Sequence, residues 1–149
     1  MNGPVQMLDA DPVPERAPPT EADVICIAAN TLVHFCHGAS RKSGWWTDLG
    51  TGQPIDPFTT PHLIPAKLML VVSEVSEAME AHRKGLADDK LTHRLGLEVE
   101  LADAVIRIAD LCGALGLDLG GAIAEKMAFN ARREDHTLAH RAGANGKAY

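Results

Sequence analysis

Between Pro65 and Gly85 the chain runs Leu68-Met69-Leu70-Val71-Val72 almost directly into Glu74-x-x-Glu77, an apolar stretch closing on two acids. At 3.6 residues per turn Leu70, Glu74, Glu77 and Ala81 fall on one stripe of a helix. Pro65 suits a first helical position and Gly85 the position just past the end, which brackets the helix. Its first turns are apolar on every side and are expected to be buried all round.

Other segments carry the same helical period. Thr20 is an N-cap candidate for a helix reaching about Gly38, with Val24, Ile27, Ala28, Thr31, Leu32 and Phe35 at 3.6-residue spacing. A third helix is expected from about Thr92 to Gly116, and Asp118 caps a fourth that runs to about Arg133. Aromatics make up only 4% of the chain, and strand signals are weak. The expected fold is all-α, a four-helix bundle-like domain over residues 20–135. It is flanked by a proline-rich arm, 1–19, and a polar C-terminal tail, 136–149. The connection from Gly38 to Pro61, rich in Gly, Pro, Asp and Thr, is longer than ordinary links and is expected to be functional or disordered.

The formal net charge of −6 argues against a nucleic-acid polymer as ligand, because affinity for a phosphate backbone comes mainly from Lys and Arg. A single nucleotide stays open, since a divalent cation reverses the local sign. Three scattered cysteines form neither a disulfide framework nor a zinc site and suggest a reducing, cytoplasmic setting. No wholly apolar run approaches the ~20 residues that cross a bilayer, and the acidic, proline-rich start is unlike a secretory signal. No membrane partner is expected.

In the third helix Leu97, Glu100, Asp103 and Arg107 form a stripe like that of the second. Each helix thus places two carboxylates one turn apart on one face. A solvated acidic edge is one reading. Against it, the positions four residues after Glu74 and Glu77 are Ala78 and Ala81, not the bases that usually accompany acids on a wet helix; Asp103, followed by Arg107, half-obeys that pattern. Four clustered acids repel one another unless a cation compensates, and oxygen-only ligands suit Mg²⁺ or Mn²⁺ rather than zinc. A di-iron bundle would place Glu three residues before a histidine, and no histidine here has one. Glu98 lies toward the other side of the third helix.

The order Glu74-x-x-Glu77, 22 intervening residues, Glu100-x-x-Asp103, then Lys126-x-x-x-Asn130-x-x-Arg133 is similar to the all-α MazG-like nucleotide pyrophosphohydrolases, relatives of helical dUTPases and dCTP pyrophosphatases. The likeness covers roughly residues 22–133, and the tail with Arg141 and Lys147-Ala148-Tyr149 resembles compact members found in phages and bacteria. The resemblance implies a magnesium-dependent enzyme that converts a (deoxy)nucleoside triphosphate to its monophosphate and pyrophosphate, in a bacterial or phage-infected cytoplasm. It implies that Glu74, Glu77, Glu100 and Asp103 hold Mg²⁺ (or Mn²⁺), with Glu74 or Glu77 also orienting or deprotonating the attacking water. It implies substrate contacts from Lys126, Asn130 and Arg133, and a homodimer or homotetramer with the site between helices of paired subunits. Purine deoxynucleotides such as dGTP are the expected substrates, from the phage-like look of the two ends.

Several assignments keep two readings. Arg107 touches a phosphate or pairs with Asp103. Trp45 and Trp46 stack on the nucleobase or anchor their loop on the bundle; His34 faces the base or is structural. The whole chain is the enzyme, a non-catalytic module that binds a nucleotide or a partner protein, or a purely structural oligomerising bundle.

Overall fold

The computed structural model describes residues 17–144 and 146, so most of the expected N-terminal arm, and Lys147 to Tyr149 of the tail, lie outside the described residues. The architecture is all-α: α1 (Glu21–Lys42), α2 (Leu63–Lys84), α3 (Gly96–Leu115), α4 (Leu119–Asn130) and a one-turn α5 (Leu138–Arg141), preceded by a 3₁₀ turn at Glu134–His136. Among the described residues the only β pairings are isolated bridges, Thr47 with Pro54 and Ala87 with Leu95.

The helix ends follow local chemistry. The Thr20 hydroxyl accepts from the Asp23 N–H at 3.2 Å while Asp23 accepts from the Thr20 N–H at 2.9 Å, a reciprocal cap that starts α1. Hydrogen bonds from Thr20 hold the Asp23 carboxyl below its ordinary pKa. Gly85 and Gly116 end α2 and α3 at φ 64° and 65°, a left-handed conformation cheap only for glycine. Asp118 accepts from the Gly121 N–H and caps α4.

Four boundaries differ from expectation; α3 begins at Gly96, not near Thr92, and α4 ends at Asn130, not near Arg133. The first helix passes through Gly38 to Lys42, because one glycine costs only ~1 kcal/mol inside a helix that is otherwise well formed. The second begins at Leu63, two residues before Pro65, behind His62 at φ 63° with no side-chain cap.

Three packed contacts build the fold: α2 on α3, α1 on α3 and α1 on α4. In the antiparallel α2–α3 pair Ala81 faces Gly96, where a Cβ would lie 3.0 Å from the Ala81 Cβ, and Glu74 meets Arg107. The C-terminal half of α1 takes α3: a Cβ on Gly113 would sit 2.5 Å from the His37 Cβ. The N-terminal half of α1 takes α4, where Gly120 packs on Cys26 and Asn30. The Asn30 amide donates to Asp118 Oδ1 at 2.8 Å, and its oxygen accepts from the Gly120 N–H at 2.9 Å. Hence α4 lies at the end of the molecule away from the α2–α3 acids.

The buried apolar residues are mostly small: Ala78, Ala81, Ala104 and Ala109 with Leu111, Cys112 and Trp46. Most of the large ones face outward, which corrects the expectation that the first turns of α2 are buried all round. The α1 stripe is exposed, with Ile27 at 64% and Phe35 at 67%; Leu68, Met69 and Val72 of α2 are exposed as well, not buried all round. The physical reason is that a lone chain offers these faces no neighbour, while small residues and polar groups occupy the contacts between its own helices. By length and composition alone α1, with mean hydropathy 1.2 over its most apolar eighteen residues, meets the requirement for a membrane span. That departs from the expected lack of any such segment, although α1 is tied to α3 through polar His37 and Ser40.

Candidate metal centre

Because α2 and α3 run antiparallel with alanines and a glycine between them, their acidic stripes converge. Glu74, Glu77 and Glu100 each present a carboxylate oxygen within 4.8 Å of the others. Glu74 is 5% exposed, Glu100 is half-buried and Glu77 is exposed. Asp103 lies outside that trio of oxygens but lines the same cavity, a space of about 770 Å³ floored by Ala81, Gly96 and Val99 and rimmed by Asp88, Asp89 and Lys90. That volume is in the range of small-molecule sites.

The electrostatics carry the mark of crowding. Burial, the hydrogen-bond contact with Glu74, and the charges of Glu77, Glu74 and Asp103 all push the Glu100 carboxyl above its usual pKa. Carboxylates packed this closely favour a compensating cation. In the protein alone one compensating cation is Arg107, whose Nε–H donates to Glu74 Oε1. Arg107 reaches across to Glu74 of α2 instead of pairing with Asp103 on its own helix.

The cavity rim is held by the α2–α3 connection. Asp88, 8% exposed, accepts from the Lys90 N–H at 3.0 Å and from the Leu91 N–H, a turn that sets Asp88 to Leu91 against the acids. On the outer rim Glu80 pairs with Arg83 and Lys84, which lower its pKa to about 2.

The remaining expected site residues are not brought to this cavity. Lys126 lies over the Phe129 ring at 4.8 Å, and Arg133 grips Asp135 through Nε and Nη2 at 2.9 and 2.6 Å. Asn130 Oδ1 is buried without a hydrogen-bond partner. His34 is exposed, packed edge-on to Phe35 at 5.2 Å, in a separate cavity with His37 and Arg41. The two tryptophans part company: Trp45 is exposed and Trp46 is buried.

Sequence reasoning missed what Trp46 is buried against. Asp110 of α3, 6% exposed, accepts from Trp46 Nε1–H at 2.8 Å and from the Ser40 hydroxyl at 3.0 Å, with His37 Nδ1 at 2.9 Å. Lys67 Nζ of α2 lies 3.7 Å from Oδ2, the oxygen that also takes the Ser40 hydroxyl, and 4.4 Å from the Trp46 ring centroid. Spacing places only two members of this cluster: Asp110 lies seven residues past Asp103 and Lys67 seven before Glu74, so both continue the acidic stripes by two turns, ~10.5 Å. The α2–α3 groove therefore has an acidic end and a buried ion-paired end, with Arg107 between them in sequence. Compared with protein-family models, curated proteins and solved structures, the chain matches none.

Proposed function

We propose that this chain is a metal-dependent nucleoside triphosphate pyrophosphohydrolase, which adds water to a (deoxy)nucleoside triphosphate and releases the monophosphate, pyrophosphate and a proton. The single observation that carries the reading is the convergence of Glu74, Glu77 and Glu100, from two helices, within 4.8 Å beside Asp103 and Arg107 in one cavity. These residues fit a hard divalent cation: the donors are carboxylate oxygens, three of them within 4.8 Å of one another, and Glu100 is pushed above its usual pKa first by burial and then by the acids around it. Glu74, Glu77, Glu100 and Asp103 would hold Mg²⁺ or Mn²⁺, which supplies charge neutralisation and acidifies water.

The protein's own groups do the rest. Glu77, exposed at the cavity, is the carboxylate suited to orient the attacking water and accept its proton, whereas Glu74 is buried and held by Arg107. Lys126, Asn130 and Arg133 lie at the far end of their own chain and join this reading across a subunit contact. A homodimer or homotetramer would supply that contact and cover the exposed apolar faces of α1 and α2. Exposed Trp45 is free to stack on a base, worth roughly 1–3 kcal/mol; purine deoxynucleotides such as dGTP remain the proposed substrates.

The test is a screen of the eight common nucleoside triphosphates for pyrophosphate release with Mg²⁺. At least one is expected to turn over, and Glu77→Gln and Asp103→Asn are each expected to abolish release while the protein stays folded. Full turnover in both variants would defeat the metal assignment. The breadth of exposed apolar surface favours a second reading, a non-catalytic module that binds a partner protein. No release from any of the eight, with the fold intact, would decide for it.

A further inference from the structure

The cation at the acidic cluster is, in the protein alone, a side chain. Glu74 is 5% exposed, and a carboxylate so buried is stable as an ion only with a charge-bearing partner. Arg107 is that partner, although its own side chain is 41% exposed. The pairing crosses from α3 to α2 and uses Nε–H on a single oxygen, Oε1, rather than the two-pronged grip that Arg133 makes on Asp135. A one-point contact from an exposed arginine to a buried acid is readily released on the arginine side. Glu74 also belongs to the trio whose oxygens can meet on one ion. A divalent cation seated there repels a guanidinium on the same carboxylate.

We infer that Arg107 is a built-in stand-in for the divalent ion: it neutralises Glu74 in the metal-free protein, is displaced when the ion binds, and is thereby freed at the cavity edge to meet the anionic substrate. This rests on the metal reading above and deepens it. Binding of metal and of phosphate become coupled, because the ion that takes Glu74 releases the cation that phosphate needs. Arg107 is then a positioning residue for the ion and a binding residue for the nucleotide, two roles of opposite sign toward its own removal.

Mn²⁺ is titrated calorimetrically, without nucleotide, into the full-length wild type and into Arg107→Met, Arg107→Lys and Lys90→Met. Lys90, bonded to Asp89 at 2.6 Å on the rim of the same cavity, gauges what loss of any nearby positive charge does. The inference predicts that Arg107→Met tightens Mn²⁺ binding, roughly three- to tenfold, clearly more than Lys90→Met, with Arg107→Lys close to wild type. In EDTA Arg107→Met is expected to melt below wild type, and saturating Mn²⁺ to raise its midpoint by more than it raises the wild type's. For any nucleotide that turns over, KM is expected to rise as the Mn²⁺ Kd falls, whereas a merely structural role would weaken both. If Mn²⁺ binds the wild type while Arg107→Met binds it no better than Lys90→Met does, or more weakly, the exchange is overturned and the metal reading stands. If Mn²⁺ binds none of the proteins, the metal reading fails and this inference fails with it.

Discussion

Asp110 accepts from Trp46 and Ser40, faces His37, and is paired with Lys67, drawing on α1, the following loop and α2. A carboxylate suits such a place because it offers only acceptors. Asp110→Asn would remove the charge that pairs with Lys67 and, with its oxygen kept on Trp46, turn an amide NH2 toward the Lys67 ammonium, donor against donor. The expected result is a loss of about 1–3 kcal/mol, read as a lower urea midpoint with an unchanged m-value; an unshifted midpoint would mean the network adds nothing to stability. At this scale the acids of the candidate site were legible in the sequence, because their spacing on two helices needs only the helical period to interpret. The Asp110 hub was not, since its partners lie 43 to 73 residues away in the chain and no local pattern joins them. Spacing likewise left Arg107 undecided between Asp103 and a phosphate, because the partner it takes sits on another helix.

At the level of elements, caps and glycines account for where the helices stop and how closely they pass. Thr20, Gly85, Gly116 and Asp118 all act where their chemistry predicts, since a cap depends on three or four neighbouring residues. What a cap does not state is which face turns inward. The regular apolar stripe of α1 is exposed, and the sides of α1 that meet α3 and α4 carry His37, Ser40 and Asn30. The crossing with α4 is close because Gly120 has no side chain: a Cβ there would strike the Cys26 carbonyl oxygen and come within 2.9 Å of the Asn30 side chain. A backbone oxygen cannot swing aside, so Gly120→Ala is expected to cost about 1–3 kcal/mol through overpacking. Thermal denaturation checks this, and a midpoint equal to wild type would show that α1 and α4 slide apart freely.

Among the described residues many large apolar side chains lie outside, although Trp46 and Leu111 are buried. Ile27, Phe35, Met69 and Met79 are each at least 60% exposed, while alanines fill the contacts between helices. Apolar surface on this scale is what the proposed oligomer would cover. Sedimentation at micromolar concentration is expected to give a dimer or tetramer, and Phe35→Glu together with Met69→Glu to shift it toward monomer, each charge opposing burial by several kcal/mol. A wild type that sediments as a monomer would remove the route by which Lys126, Asn130 and Arg133 join the acidic cavity.

By itself the sequence determined the helical class, the caps that bound the elements, and the pairing of acids on two helices, because each follows from residues within a few turns of one another. Tertiary structure alone decided which acids meet, that Arg107 crosses to Glu74, that Trp46 is buried on Asp110, and that the broad apolar faces point outward. Those outcomes depend on how antiparallel helices approach over alanine and glycine, and on which surfaces a single chain leaves without a partner; neither quantity is written in any local stretch of sequence.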